Sequence, residues 1–280
     1  LYFGTGAAAT LSRVAFTIGQ TDVPGEPTYH LRLNRTTAGS AFSSVEQYVE
    51  SVRTFAGQEC TMSFWAKADG AFNLDARLEQ HFGTGGSSQV NTTAETFALT
   101  TSWQKFTYTI TPASISGKTI AGGDDKLSAG FVWNETEGAT GQIDIAQVQL
   151  EAGPAATAFA SRPISMELAF CQRYLPVYNY SGGQNVCPGQ ASSTTGGWAQ
   201  FPFVVQPRVA PTGITISAAG DFRMTNAAYT GLTVTALTFN SSSLLMADLS
   251  ITVASGAVAG DALLLYGDSS GQILFTGCEL

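Results

Sequence analysis

Short runs in which apolar and polar residues alternate recur along most of the chain, and they constrain its fold more than any other feature. Met62 and Phe64 share one face of residues 61–66, and residues 106–110 repeat the pattern. A period of two is typical of a strand with one buried face. Gly, Pro, Asn and Asp bound the runs as turn residues. About nine such runs in the first half of the chain predict a two-sheet β-sandwich, and a break in alternation near Ala146 indicates a β-bulge.

Residues 165–174 carry the one convincing helical pattern of the sequence. Leu168, Cys171 and Leu175 recur at helical spacing and form an apolar stripe. Ser165 is the predicted N-cap, because its hydroxyl oxygen can accept a hydrogen bond from an amide of the first turn. We expect a short helix of this kind to pack as a spacer between two domains.

The sequence predicts two domains joined by that helix. Residues 1–153 form the first β domain, residues 154–176 the linker and helix, and residues 177–280 the second β domain. The predicted class is therefore all-β, with a β-sandwich followed by a short helix and a second small β-sandwich domain. Because the second domain is short for its number of strands, we expect copies of the chain to complete its interior, most simply as a homotrimer.

Charge is scarce in this sequence, and its balance is acidic. Charged residues make up 12% of the 280 residues, against roughly 25% in an average soluble domain, which is consistent with surface hidden in an oligomer. The formal net charge is −8, without a Lys/Arg cluster, so we expect no nucleic-acid partner. No apolar run approaches the ~20 residues that cross a bilayer, so we expect no membrane insertion.

Candidate catalytic residues are few, and we predict that the chain is not an enzyme. No nucleophile motif of the G-x-S-x-G type occurs, and the two histidines belong to no recognisable triad. Glycoside hydrolysis requires two carboxylates at a fixed separation. Asp124-Asp125 and Glu135/Glu137 offer pairs, but they lie in turn-like segments where solvated loop acids are expected.

We expect no cofactor, with a structural Ca²⁺ ion as the one alternative. Asp144, which lies between apolar strand residues, is the candidate Ca²⁺ ligand. The cysteines are Cys60, Cys171, Cys187 and Cys278, and their spacing is not that of a metal site. Cys171 and Cys187 are candidates for a disulfide, and four reduced thiols are the alternative.

Aromatic and polar side chains of the first domain predict a carbohydrate site. Aromatic rings stack on the apolar faces of sugars, while amide, carboxylate and guanidinium groups bind the hydroxyls. Trp65 is out of phase with Phe64 and faces outward if Phe64 is buried, and Trp133 ends a strand. The alternative for these tryptophans is packing under loops or at a subunit interface. The candidate site residues, expected to share a surface near Trp133, are Trp65, Trp133, Asn134, Glu135, Arg77, His81 and Tyr48.

A series of motifs in a fixed order resembles tailed-bacteriophage fibre and spike proteins over residues 30–280. The first domain resembles the family's jelly-roll module, which is similar to carbohydrate-binding modules of glycosidases. The helix and the second domain resemble the family's joint and its small, often trimerised β domain. The motifs of the first domain are SFWAKA (63–68), QHFGTGGSS (80–88), LTTSWQKF (99–106), SGKT (116–119) and IDIAQVQLEAG (143–153), and those that follow are RPI (162–164), ELAFCQRY (167–174), FPF (201–203) and PRVAPT (207–212).

The resemblance implies a virion protein, assembled in the host cytoplasm and displayed as an exposed fibre or spike. The sequence does not begin with Met, so we expect attachment to other virion proteins through a part of the polypeptide upstream of Leu1. We interpret the chain as a receptor-binding adhesin for host surface polysaccharide. The alternative is a purely structural or decoration fibre of the head, collar or tail, without a receptor role.

Overall fold

The chain divides into two compact units, residues 1–161 and residues 162–279. The computed structural model describes residues 2–3, 7–38, 42–133, 140–225 and 230–279. The predicted all-β class is confirmed, because strands dominate both units and the described residues hold a single α-helix, of 11 residues. In that part of the chain, no helix has the length and apolar character needed to span a membrane.

Unit 1 is a sandwich of two antiparallel sheets around one core, which confirms the predicted jelly-roll sandwich. Its strands are β1 (Tyr2–Phe3), β2 (Ala7–Ala15), β3 (Tyr29–Ala38), β4 (Ser43–Glu50), β5 (Cys60–Ala68), β6 (Phe72–His81), β7 (Val90–Asn91), β8 (Glu95–Leu99), β9 (Gln104–Ile110), β10 (Lys126–Trp133) and β11 (Gly141–Ala152). The front sheet has the order β1-β4-β10-β6-β7, with β8 also paired to β6. The back sheet has the order β2-β3-β11-β5-β9.

The core of unit 1 follows the alternation of its strands. Phe64 on β5 is fully buried, and its ring centroid lies 4.6 Å from that of Phe131 and 5.4 Å from that of Phe97. Both pairs have the edge-to-face arrangement that aromatic rings favour. The predicted bulge is confirmed, since the register of β11 on β5 shifts between Ala146 and Gln149.

Unit 2 combines a closed barrel with a small sheet on the same core. Its elements are α1 (Ile164–Tyr174), β12 (Val177–Tyr180), β13 (Asn185–Ser193), β14 (Gly196–Pro202), β15 (Gly213–Ile216), β16 (Phe222–Thr225), β17 (Gly231–Ser242), β18 (Met246–Val253), β19 (Ala262–Gly267) and β20 (Gly271–Thr276). Strands β13-β14-β18-β17-β16-β19 close into a barrel, and β12-β20-β15 form a three-stranded sheet. Phe275 on β20 is buried with barrel residues such as Phe201, so the two sheets share one core.

Helix α1 differs from its prediction in two respects. It groups with unit 2 and not with a separate linker, although the division between the units, after residue 161, falls inside the predicted 154–176 segment. The predicted N-cap, Ser165, is wrong: the helix begins one residue earlier, Pro163 holds the cap position, and the Met166 amide donates to the Pro163 carbonyl at 3.0 Å. None of the helical residues is buried, and Leu168 of the predicted apolar stripe is 56% exposed.

The four cysteines are free thiols. Cys171 lies exposed on α1, while Cys187 is buried in the barrel, so the disulfide considered between them is not formed. Burial raises the pKa of the Cys187 thiol to about 12. It therefore stays protonated at neutral pH, as expected of a structural rather than a reactive cysteine.

Candidate functional site

The outer face of the front sheet carries rows of polar side chains that cross three neighbouring strands. Leu74, Ala76 and Leu78 of β6 point into the core, which leaves Arg77 and His81 on the opposite face. The register aligns outward residues of β6 with residues of β10 and β4. Three of these rows are Arg77–Gly130–Glu46, Glu79–Ser128–Tyr48 and His81–Lys126–Glu50. We call this surface the front face.

One guanidinium group joins the two most buried carboxylates of the front face. Arg77 Nε lies 2.8 Å from Glu79 Oε1, and Arg77 Nη2 lies 3.6 Å from Glu46 Oε1. The side chains of Glu79 and Glu46 are only 6% and 9% exposed, against 26% for Arg77. Ser128 Oγ donates to Glu46 Oε2 at 3.0 Å. These contacts fix both carboxylates before any ligand arrives.

A glycine makes the approach of Glu46 to Arg77 possible. Gly130 lies between Arg77 and Glu46 in the middle strand. A Cβ atom added at Gly130 would stand 2.8 Å from Glu46 Cγ and 3.3 Å from the Val45 carbonyl oxygen. The bare backbone at this position therefore lets the side chain of Glu46 lie across β10 toward Arg77.

An aromatic ring and an open cavity continue the front face toward the end of β6. Lys126 Nζ lies 3.9 Å from the centroid of the Tyr48 ring, and the rings of Tyr48 and His81 are 6.5 Å apart. A cavity of about 240 Å³ opens beside His81 and Lys126, with Asp124 in its lining. Donors, acceptors and an aromatic ring therefore follow one another along the same surface.

Asp124 and Asp125, the acidic pair predicted to lie in a loop, hold loops together. Asp124 Oδ1 and Oδ2 accept hydrogen bonds from the Thr84 amide and hydroxyl, each at 2.8 Å. Those bonds hold the pKa of Asp124 below its ordinary value. Asp125 Oδ2 accepts from the Val52 amide at 2.8 Å. Because the two carboxylates anchor different loops, they do not face each other as a catalytic pair would.

The structure gathers three of the predicted site residues and separates two others. Tyr48, Arg77 and His81 meet on the front face, so their expected shared surface exists. Trp133 is not on it, because the alternation of β10 turns its indole inward, where it is fully buried. Its ring lies 4.7 Å from that of Phe72 and 4.7 Å from the guanidinium carbon of Arg35. The prediction of a surface at Trp133 is therefore wrong, and the tryptophan packs in the core.

Trp65 lies on the other sheet of the sandwich. It pairs with Ala146 of β11 and Lys105 of β9 and points away from the core, where it is half-buried. The phase argument from Phe64 is thus confirmed, but the expectation that Trp65 shares a surface with Arg77 is wrong. Asn134 and Glu135 lie outside the described residues, as does the Glu137 of the second acidic pair.

Asp144, the candidate Ca²⁺ ligand, instead binds cationic side chains on the outer face of the back sheet. Its carboxylate accepts from Arg32 Nε at 2.7 Å and Arg32 Nη2 at 2.8 Å. His30 Nε2 and Lys67 Nζ lie 3.3 and 4.0 Å from its Oδ2. The basic side chains of His30, Arg32 and Lys67 therefore face this carboxylate, an arrangement that disfavours a Ca²⁺ ion beside it. Among the described residues, no group of three or more His, Cys, Asp or Glu could hold a metal.

The sequence candidates lacked several members of the front face. Glu79 lies two residues from both Arg77 and His81, so the alternation of β6 already placed it on their face. Glu46, Ser128 and Gly130 come from other strands and could be added only once the cross-strand register was known.

No protein-family model matches this chain, and no curated protein matches it. Among solved structures, a family 4 carbohydrate-binding module is 22% identical over 47% of this chain and 74% of that chain, with a TM-score of 0.35. A family 11 carbohydrate-binding module from Clostridium thermocellum, in complex with a β-1,3-1,4-mixed-linked tetrasaccharide, is 14% identical over 54% of this chain and 86% of that chain, with a TM-score of 0.36.

A phage protein is also similar to part of this chain. The enzymatically active domain of tailspike protein 4 from bacteriophage CBA120 is 14% identical, with a TM-score of 0.33. The similarity covers 51% of this chain and 19% of that chain.

Proposed function

We propose that unit 1 binds a glycan on the front face. The observation that carries the proposal is the fixed arrangement of Arg77 between Glu46 and Glu79, beside the ring of Tyr48. A guanidinium offers five donors and a carboxylate about four acceptor sites, so these groups have capacity left for sugar hydroxyls after they have bound one another. Side chains that are already held in place lose little conformational entropy on binding.

The proposed function is one of binding, without catalysis. Glycoside hydrolysis needs one carboxyl group to give a proton and another to act on the opposite side of the scissile bond. On the front face the Arg77 side chain occupies the space between Glu46 and Glu79 and contacts both. A sugar linkage therefore has no place between the two carboxylates.

We place this binding unit in a phage fibre or spike that attaches to host surface polysaccharide. The order of motifs along the chain supports this role, with the chain displayed outside the virion after assembly in the host cytoplasm. Its partners within the particle would be other virion proteins. A homotrimer would multiply weak single sites, because linked sites bind with a high effective concentration.

The proposal is tested with two variants of the full chain on opposite faces of unit 1. Binding is measured by affinity electrophoresis in gels that contain bacterial surface polysaccharides or neutral plant glucans. We expect at least one polysaccharide to retard the wild-type chain, Tyr48→Ala to weaken the retardation, and Trp65→Ala to retain it in full. Equal loss in both variants, with folding verified by thermal unfolding, would place the site elsewhere.

The alternative function is a structural fibre segment, and the exposure of α1 favours it. Ile164, Leu168 and Phe170 are 74%, 56% and 47% exposed, more apolar surface than a short helix usually leaves in water. Such a helix would suit contact between copies of the chain. If the wild-type chain is folded and oligomeric but no polysaccharide retards it, the structural role replaces glycan binding.

A further inference from the structure

The barrel of unit 2 exposes a tryptophan on its outer surface. Gly197, Ala199 and Phe201 of β14 point into the barrel, so Trp198 and Gln200 point outward. The indole of Trp198 is 53% exposed. Tryptophan is usually well buried, so an exposed indole on a regular strand calls for a reason.

Polar side chains from three other strands surround this indole. Gln190 of β13 pairs with Trp198, and Asp248 of β18 pairs with Gln200. Together with Asn240 of β17, they line a groove of about 580 Å³, within the size range of small-molecule sites. We call it the barrel groove and define it by Gln190, Trp198, Gln200, Asn240 and Asp248.

Two side chains of the barrel groove are oriented by hydrogen bonds, and two others have amide groups free to bind a ligand. Ser241 Oγ donates to Asp248 Oδ2 at 3.0 Å and orients that carboxylate. Gln190 Nε2 donates to the Gly260 carbonyl at 3.2 Å, which leaves its amide oxygen as an acceptor. The amides of Gln200 and Asn240 make no side-chain hydrogen bond to the described residues and are exposed. Each amide offers two donor hydrogens and an acceptor oxygen.

The charge of the barrel groove selects the class of ligand. No Lys, Arg or His is among its lining residues, and Asp248 is the one charged side chain in that lining. A phosphate, sulfate or uronate would meet a carboxylate and no cation, which opposes its binding. A purely apolar partner would bury four polar side chains without partners, at a cost for each. A neutral, hydroxyl-rich ring offers an apolar face to the indole and hydroxyl groups to the amides.

We propose that the barrel groove is a second glycan site that takes neutral sugars. The Trp198 indole stacks on the apolar face of the sugar ring. Gln200, Asn240 and Asp248 bind its hydroxyls. This site goes beyond the proposed front face, since it lies on a different compact unit and shares no residue with it. One chain would then hold two glycan sites, and their linkage would raise the affinity for a repeating polysaccharide.

The test isolates the barrel groove by working in the full chain with the front-face variant Tyr48→Ala. Retardation is measured in gels with xylan, mixed-linkage β-glucan, mannan or galactan as neutral polysaccharides, and with polygalacturonate as an anionic one. We expect at least one neutral polysaccharide to bind and polygalacturonate to be excluded.

Adding Trp198→Ala weakens binding about tenfold or more, equivalent to about 1.4 kcal/mol, whereas Trp198→Phe, which keeps a ring, retains most of it. Val204→Ala, at a residue of the same unit that is 81% exposed, is the matched control.

Two results would overturn the second site. The first is the absence of neutral polysaccharide binding in the Tyr48→Ala chain, or binding that Trp198→Ala leaves unchanged. The second is a fall in the oligomer's mass by light scattering in Trp198→Ala without any change in binding, which would make the barrel groove an interface between copies. Because front-face binding is removed from the start, either failure leaves the front-face proposal untouched.

Discussion

At the scale of single residues, small side chains decide where the charged groups of the front face can lie. Gly130 and Ser128 occupy the middle strand between outward residues of β4 and β6. Both are small, and Ser128 adds a hydrogen bond to Glu46. A larger residue at either position would separate Glu46 from Arg77. The geometry of the proposed site thus depends on residues that carry no charge.

Substituting Gly130 tests this dependence. In Gly130→Ala the new Cβ would stand 2.8 Å from Glu46 Cγ, so we expect Glu46 to move away from Arg77 and glycan binding on the front face to be lost. The free energy of unfolding should change by less than about 1 kcal/mol, because the flexible side chain can give way. Gly220→Ala is the control, since its Cβ would meet nothing within 4 Å. Unchanged binding in Gly130→Ala would separate glycan recognition from the Glu46–Arg77 contact.

His30 makes the stability of unit 1 depend on pH. Burial lowers the pKa of His30 below 6.5, although Asp144 opposes the shift, and Arg32 and Lys67 add to it. Between the folded and unfolded pKa values the unfolded chain binds more protons, so the stability is full above about pH 6.5 and is lost as the pH falls. We expect a smaller free energy of unfolding in urea at about pH 5.5 than at about pH 7.5. His30→Leu should reduce that difference, and an unchanged difference would rule out His30 as its source.

At the scale of elements, the alternation of apolar and polar residues predicted which strand faces are buried. It did not predict the register in which neighbouring strands pair. Arg77 and His81 were correctly expected on one surface, because they share a phase within β6. Trp133 was misplaced because it was interpreted as a strand end facing outward, whereas β10 keeps Leu127, Phe131 and Trp133 in one inward phase. The contact of Glu46 with Arg77 joins strands that no local pattern aligns.

The N-cap of α1 also shows that local sequence patterns do not fix every structural detail. Ser165 has the chemistry of a cap, but the helix begins before it, at Ile164. Proline is well tolerated at the start of a helix, since it lacks the amide hydrogen that would otherwise need a partner. Local chemistry at Ser165 therefore did not fix the first residue of the helix.

The burial of β5 leads to a prediction about stability. Phe64 is 0% exposed and contacts rings from both sheets, so Phe64→Ala should lower the free energy of unfolding of unit 1 by about 3–5 kcal/mol. Val148 on β11, at 44% exposed, is the control, and Val148→Ala should stay within about 0.5 kcal/mol of the wild type. Equal effects of the two substitutions in denaturant unfolding would contradict the assigned core.

At the scale of the whole molecule, each compact unit has its own buried core and carries a polar surface on the outer face of its strands. Unit 1 carries the front face on a sandwich, and unit 2 carries the barrel groove on a barrel. The two-domain, all-β organisation followed from the alternating runs and from the helical pattern of residues 165–174 between them. The closure of the barrel could not be predicted in this way, because β13 pairs residues 185–190 with residues 262–266 of β19. No local sequence pattern aligns segments so far apart in the chain.

The most direct test of the central claim is a crystal structure of the full chain with a bound oligosaccharide taken from the polysaccharide that retards it. We expect a sugar ring against Tyr48, with hydroxyls within hydrogen-bonding distance of Glu46, Arg77 and Glu79. A sugar bound on the outer face of the back sheet, around Trp65, with the front face empty, would contradict it.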